Sequence, residues 1–150
     1  MRQRIDFKRH ESNGSPPAMK ALLLLSLTLA APAAAQAPDW AKAKAITITM
    51  TDHGYQPGRI ILRRDTPYVL HISNRSDKGH NLTQKAFFKF ARVAPSDRRW
   101  TADGQIVLKA YERATIRFRS PATRSGGTYQ FSSTTIGDAD SDYTGVFIMR

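Results

Sequence analysis

From residue 45 onward, the chain contains several short runs in which the order of apolar and polar residues is typical of β-strands. In 45–51, alanine, isoleucine and methionine alternate with threonine, as in a strand with one buried and one exposed face. Later runs rich in β-branched and aromatic residues are also predicted as strands, namely 59–63, 68–73, 105–111, 113–119, 128–131 and 145–149. Turn-forming residues separate these runs. The pattern therefore predicts an all-β sandwich or barrel of about seven or eight strands.

The stretches between the predicted strands are mostly loops. Segments 51–58, 74–81 and 134–142 are rich in Gly, Pro, Asn, Asp, Ser and Thr, which favour turns. Segment 92–104 contains Pro, Ser and Asp, and we predict one short helical turn there, capped by Ser96. No segment predicts a helix of three turns or more.

The first part of the chain predicts a signal peptide. Met19 and Lys20 precede an apolar run, 21–31, and the alanines of 33–35 provide a small-residue cleavage site. This apolar core is well short of the roughly 20 residues that a membrane-spanning helix needs. We therefore expect an exported, periplasmic protein. The predicted organisation is a non-native or disordered extension at 1–18, a signal peptide at 19–35, a linker at 36–44 and the β-domain at 45–150.

The formal net charge is +11, and it falls to +8 for the 115 residues that remain after cleavage behind residue 35. In the run 113–119, Arg113, Arg117 and Arg119 should lie along one solvent face. Such a face could attract an acidic periplasmic protein or an anionic membrane surface. A solvated surface that keeps the protein soluble is the alternative. Because the protein is expected to be exported, we do not expect nucleic acid as a partner.

The chain contains no cysteine. This excludes disulfides, cysteine zinc sites, iron–sulfur clusters and a thiolate ligand for copper. The sequence also lacks a nucleophile elbow, a phosphate loop and a zinc-protease motif. We therefore predict that the protein is not an enzyme.

Four motifs in order along the chain resemble those of one protein family. They are Tyr55-Gln56-Pro57 before a strand, His80-Asn81-Leu82 after a loop, the strand 127–131, and 143–147 at the last strand. Together they resemble the cupredoxins, the small Greek-key β-sandwiches of the plastocyanin and azurin type, over about 46–149. The resemblance implies a cupredoxin-like fold.

The resemblance also implies where a copper site would lie. The first imidazole ligand of copper-bearing members corresponds to His80, beside an Asn that ties the ligand loops together. A loop before the last strand normally supplies a Cys, a second His and a Met. In this chain, Ser133, Asp138 and Tyr143 stand at those positions. A blue-copper centre needs the thiolate and two imidazoles. The type 1 site is therefore expected to be degenerate, with Ser133 at the thiolate position.

Two interpretations of these residues remain open. His80 with oxygen ligands from Asp138 and Tyr143 is a hard ligand set that would suit Cu(II) or Fe(III), for metal handling or electron transfer, and Asp140 and Asp142 are close enough to contribute. Alternatively, a hydrogen-bonded network fills the site and His80 donates to a backbone carbonyl or to Asp138. We predict first a non-enzymatic binding or accessory protein with no certain cofactor, and second a metal-binding protein.

The two other histidines of the predicted domain are less suited to this site. His53 lies in a loop bounded by Gly and Pro residues, and it could meet His80 only if that loop folded over the same end of the sandwich. His71 alternates with apolar neighbours in a predicted strand, so we expect an exposed or half-buried strand histidine.

Overall fold

A computed structural model describes residues 38–150, and residues 1–37, which include the predicted extension and signal peptide, lie outside the described residues. The described residues form ten strands and one short α-helix. The elements are β1 (Lys44–Thr51), β2 (Gly54–Gln56), β3 (Arg59–Leu62), β4 (Pro67–Asn74), β5 (His80–Thr83), α1 (Lys85–Phe90), β6 (Arg92–Val93), β7 (Gln105–Leu108), β8 (Arg113–Arg119), β9 (Thr128–Ser132) and β10 (Thr144–Met149). Short 3-10 segments lie at Trp40–Lys42, Pro95–Gly104 and Ile136–Asp138.

The strands form two five-stranded sheets. The first sheet has the order β2-β1-β4-β8-β6, and the second has the order β3-β10-β9-β5-β7. Two neighbouring pairs are parallel, β1 with β4 and β3 with β10, and the other pairs are antiparallel. The prediction of an all-β sandwich is confirmed.

Inward-facing apolar residues of both sheets form the core. In β8, Ala114, Ile116 and Phe118 are buried, and the residues between them face outward, as the alternation predicts. An aromatic group lies at the centre of the core, where the rings of Phe87 and Phe147 stack with centroids 4.3 Å apart. The single helix α1 therefore contributes to the core through Phe87, which is 1% exposed.

Three of the ten strands fall in or next to segments that the sequence predicts as loops. β2 and β6 contain three and two residues, too few to show a period of two. They are strands because they pair with β1 and β8. β5 is buried at its first three positions, so it also shows no alternation.

The predicted helical turn exists, but Ser96 does not cap it. The 3-10 segment begins at Pro95, and Ala94 stands at the cap position. Proline is favoured at this first position because it has no N–H that would need a hydrogen-bond partner. The Ser96 hydroxyl instead donates to Asp97 Oδ1 at 3.0 Å and accepts from Arg117 Nη2 at 2.9 Å. Within residues 38–150, we find no helix with the length and hydropathy needed to cross a membrane.

Candidate functional site

His80 is the first residue of β5, where it pairs with Leu108 of β7. Its imidazole is almost completely buried, with 2% of the side chain exposed. The ring Nδ1 lies 2.8 Å from Asp138 Oδ2. Since a buried imidazole nitrogen needs a partner, this carboxylate holds His80 in one orientation.

Asp138 reaches His80 from the loop between β9 and β10. It ends the 3-10 turn Ile136–Asp138, and its backbone N–H donates to the Thr135 carbonyl at 2.9 Å. The turn directs the Asp138 side chain inward, where 5% of it is exposed. The Ser133 hydroxyl, from the same loop, donates to the same Oδ2 atom. The carboxylate therefore lies between Ser133 and His80 and accepts from both.

Asn81 joins the β5 region to this loop. Its Oδ1 accepts from the backbone N–H of Thr134 at 2.8 Å, and its Nδ2 donates to Thr134 Oγ1 at 2.9 Å. The backbone carbonyl of Asn81 accepts from the Tyr55 hydroxyl. This is the tie between loops that the cupredoxin resemblance implies for the Asn beside His80.

Tyr143 packs on His80 but directs its hydroxyl elsewhere. The two rings are stacked, with centroids 4.8 Å apart and planes at 27°. The Tyr143 hydroxyl donates to the Thr51 carbonyl at 2.7 Å. Burial, and next the charge of Asp138, raise the pKa of Tyr143 above the ordinary value for tyrosine. Burial likewise raises the pKa of Tyr55, whose ring meets that of Tyr143 edge-on at 4.7 Å. Both phenols are therefore protonated near neutral pH.

The structure thus brings together four residues that the sequence singles out. Ser133, Asp138 and Tyr143 all lie against His80 or against its hydrogen-bond partner, and we call His80, Ser133, Asp138 and Tyr143 the His80 cluster. Asp140 and Asp142 lie outside it, because both are exposed. In the part of the chain that the structure describes, no hydrogen bond or ion pair joins His53 or His71 to His80.

The donor set of the cluster does not fit copper or iron as it is arranged. It contains one imidazole, whose Nδ1 faces Asp138, while the Tyr143 hydroxyl is directed at a backbone carbonyl. Among residues 38–150, no group of three or more His, Asp or Glu side chains is placed to hold a metal ion. The second ring nitrogen of His80, Nε2, is buried and has no hydrogen-bond partner in the described part of the chain. The predicted metal ligands remain a prediction.

Two residues of the site were not predicted from the sequence. Thr134 follows Ser133 directly in sequence, and this adjacency is the only sequence feature that points to a role for Thr134 at the site. Tyr55 belongs to a motif of the cupredoxin resemblance, which gave it no role at the site, although its hydroxyl reaches the β5 backbone. Both residues contact Asn81 across a long separation in sequence, 53 residues for Thr134 and 26 residues for Tyr55.

The predicted basic face exists on the outward side of β8, but much of its charge is paired. Arg117 donates to both oxygens of Asp97, through Nε at 2.8 Å and Nη2 at 2.9 Å. These bonds lower the pKa of Asp97 from 3.8 to about 2, and Asp97 in turn raises the pKa of Arg117. Arg119 Nη1 lies 3.5 Å from Asp65 Oδ1. Of the three predicted arginines, Arg113 has no ion pair within residues 38–150.

Comparison with known proteins finds solved structures that are similar to this chain. No curated protein matches it. Dithionite-reduced auracyanin from the photosynthetic bacterium Roseiflexus castenholzii is 19% identical with a TM-score of 0.53, and the match covers 72% of this chain and 98% of that one. Auracyanin B is 15% identical with a TM-score of 0.50, covering 77% of this chain and 91% of that one. At these identities, the likeness shows the fold alone.

The family assignment comes from a separate comparison. The family model described as "Cupredoxin-like domain" matches residues 20–139, which is well over half of the chain. The match agrees with the two-sheet sandwich. The protein belongs to the cupredoxin-like family.

Proposed function

We propose that this protein is an exported, non-enzymatic binding or accessory protein in which a hydrogen-bonded cluster stands at the position of a cupredoxin metal site. The observation that carries the proposal is the 2.8 Å contact between His80 Nδ1 and Asp138 Oδ2, with Ser133 on the same oxygen. In this arrangement, the imidazole and the carboxylate satisfy each other, and neither is free to face a metal through those atoms.

The chemistry of the replaced residues supports this proposal. Blue copper requires a thiolate, and a serine hydroxyl is not ionised near neutral pH. Burial also raises the pKa of the Tyr143 phenol, and its hydroxyl donates to the Thr51 carbonyl, so in this arrangement the oxygen is not presented as a phenolate ligand. A cupredoxin-like fold without these ligands illustrates that fold and function are separate properties.

The order of the hydrogen bonds argues against a hydrolytic role for the cluster. A nucleophilic serine needs a base in contact with its hydroxyl, usually an imidazole that a carboxylate orients. Here the carboxylate of Asp138 lies in the middle and accepts from Ser133 and His80. Ser133 therefore has no imidazole to accept its proton.

A second candidate function, metal handling through His80, rests on one observation. His80 Nε2 is buried and without a hydrogen-bond partner among the described residues. Metal-binding histidines commonly donate one ring N–H to a carboxylate and bind the metal through the other nitrogen. Asp138 would then orient His80 rather than act as a ligand.

Metal retention separates the two candidates. The purified protein is equilibrated with Cu(II) or Fe(III), desalted, and its metal content is measured. We expect no stoichiometric metal in the unchanged protein, and none in the His80→Ala variant. The His71→Ala variant is the matched control, because His71 is an exposed histidine outside the cluster. Stoichiometric metal that is lost in His80→Ala and kept in His71→Ala would establish the second candidate instead.

A triple variant provides the positive control for this experiment. Ser133→Cys, Asp138→His and Tyr143→Met restore the ligand types that the family resemblance assigns to these positions. We expect this variant to retain Cu(II) and to show the intense charge-transfer colour of a copper–thiolate bond. A folded but colourless variant would show that the β9–β10 loop is not in register with the ligand loop of copper-bearing cupredoxins.

Export is tested independently of the metal. If the leader predicted at 19–35 is cleaved, mass spectrometry of the protein from the periplasmic fraction of an expressing bacterium should show a chain that begins at Gln36. A protein found only in the cytoplasm, with residues 19–35 intact, would overturn this part of the proposal.

A further inference from the structure

A polar cavity lies on the outward face of the first sheet, away from the core. Its volume is about 290 Å³, and the side chains that matter for its chemistry come from β1, β4, β8 and the turn after β4. They are Thr47, His71, Ser73, Arg75, Arg113 and Thr115. We call these residues the sheet cavity.

Strand register explains why these side chains meet. Thr47 of β1 is opposite His71 of β4, and His71 is opposite Thr115 of β8, so the three form one row across the sheet. The neighbouring row on the same face pairs Ser73 with Arg113. Residues directly opposite or two positions apart share a face and lie within side-chain reach. His71 Nδ1 is 3.3 Å from the Thr115 hydroxyl.

The charge of the sheet cavity is not compensated locally. Arg75 and Arg113 are both exposed, and neither takes part in an ion pair within residues 38–150. No carboxylate lines the cavity. The contrast is with Arg117 and Arg119 of the same strand, which are paired with aspartates. A concave site lined by one sign of charge concentrates counter-ions.

The donors of the sheet cavity suit a small tetrahedral anion. Each guanidinium presents five N–H donors in a planar fork that matches phosphate oxygens. The imidazole of His71 and three hydroxyl groups add further donors around the same space. An apolar ligand would gain little here, because hydroxyl and charged groups dominate the lining.

We propose that the sheet cavity is an anion-binding site for phosphate or a phosphate monoester, held by Arg75, Arg113 and His71. The inference takes from the proposed function only that the protein acts by binding. The sheet cavity and the His80 cluster share no residue. Phosphate binding and metal retention are therefore measured separately, and the failure of one leaves the other unaffected.

Calorimetric titration with inorganic phosphate, at constant ionic strength set by chloride, tests the site. We expect saturable binding, weakened about tenfold by Arg113→Ala and similarly by Arg75→Ala, since each removes charge-assisted hydrogen bonds. Arg59→Ala is the matched control, because it removes the same charge from an exposed position of β3 in the other sheet. We expect its affinity within about twofold of the unchanged protein, because salt screens the distant charge.

The histidine is tested in the same way. His71→Ala should weaken phosphate binding, whereas His53→Ala removes an exposed histidine outside the cavity and should leave it unchanged. Every side chain substituted in these phosphate titrations is exposed. We therefore expect thermal unfolding to be unchanged, which would show that the variants remain folded.

Two further titrations distinguish the source of the phosphate. Glycerol phosphate represents a soluble monoester, and vesicles of phosphatidic acid in phosphatidylcholine represent a lipid headgroup. Binding to vesicles that Arg113→Ala abolishes identifies the headgroup as a ligand, and binding to soluble phosphates alone identifies a free anion. The proposal is overturned if none of the three probes binds saturably, or if Arg59→Ala weakens binding as much as Arg113→Ala does.

Discussion

Asp138 is the residue of the His80 cluster that accepts hydrogen bonds from two of the other members. One of its carboxylate oxygens accepts from both His80 and Ser133, and its side chain is 5% exposed. A buried carboxylate is costly unless its hydrogen bonds are made, and its two donors are costly without an acceptor. The side chains of His80, Ser133 and Asp138 therefore link this loop to β5.

Asp138→Ala should destabilise the protein by about 2–3 kcal/mol, because it leaves His80 Nδ1 and the Ser133 hydroxyl without their acceptor. The free energy of unfolding in urea measures this change. Asp140→Ala is the control, since Asp140 is exposed in the same loop, and its effect should stay within about 0.5 kcal/mol. Equal losses in the two variants would show that the hydrogen bonds of Asp138 do not stabilise the fold.

The second buried carboxylate, Asp97, makes stability depend on pH. Hydrogen bonds from Arg117 lower its pKa from 3.8 to about 2 in the folded protein. As pH falls, the unfolded chain therefore takes up the proton first, so the contribution of the pair is complete above pH 3.8 and is lost down to about pH 2. The loss should amount to about 2 kcal/mol.

Unfolding free energies measured across this pH range in Asp97→Asn and in the unchanged protein give the test. The difference between them should shrink as pH falls through the range, because the protonated Asp97 resembles the amide. Asp140→Asn should keep the full pH dependence, since Asp140 is exposed. A constant difference between Asp97→Asn and the unchanged protein at all pH values would contradict the pairing with Arg117.

At the scale of elements, the start of β10 depends on a close approach of backbone to ring. A Cβ added at Gly145 would fall against Cε2 and Cζ of Phe131 and 2.9 Å from the Gly58 carbonyl oxygen. Phe131 is fully buried and packs against Tyr55 and Phe147, so its ring has little room to move.

Gly145→Ala should therefore cost about 1–3 kcal/mol of stability through overpacking. Gly137→Ala is the matched control, because a Cβ there meets no atom within 4 Å. Neither glycine has a positive φ, so the comparison isolates the contact. The measurement is the midpoint of urea unfolding, and equal midpoints for the two variants would argue against close packing of β10 on Phe131.

Strands in which buried and exposed residues alternate clearly could be predicted from the sequence. Strands that exist only because they pair with a neighbouring strand could not. The alternation in 113–119 corresponds to β8 residue for residue, because one face of that strand is buried and the other is exposed. β6 has only two residues and exists because Arg92 and Val93 pair with the end of β8. Such an edge pairing leaves no local pattern in the sequence.

The candidate site was predictable to a similar extent. The resemblance placed Ser133, Asp138 and Tyr143 near His80, and the structure brings them there. Whether oxygen atoms would face a metal or face the imidazole depends on side-chain directions. For Tyr143 the outcome depends on the Thr51 carbonyl, 92 residues away, which accepts a hydrogen bond from the Tyr143 hydroxyl.

At the scale of the whole molecule, net charge alone describes the surface poorly. The predicted net charge of +8 for residues 36–150 remains large. However, Arg117 is paired with Asp97 across 20 residues of sequence, and Arg92 is paired with Asp65 across 27. These pairings neutralise one part of the first sheet and leave Arg75 and Arg113 uncompensated at the sheet cavity. The anion site is therefore a property of the fold rather than of the composition.

We propose that Asp138, and not a metal, holds the imidazole of His80. The most direct test is a long-range proton–nitrogen NMR spectrum of the His80 ring, recorded before and after one equivalent of Cu(II) is added. We expect a proton on Nδ1, hydrogen-bonded to Asp138 and absent from the Asp138→Ala spectrum, and we expect copper to leave the His80 signals unchanged. An unprotonated Nδ1, or His80 signals broadened by copper before those of the exposed His53 and His71, would contradict it.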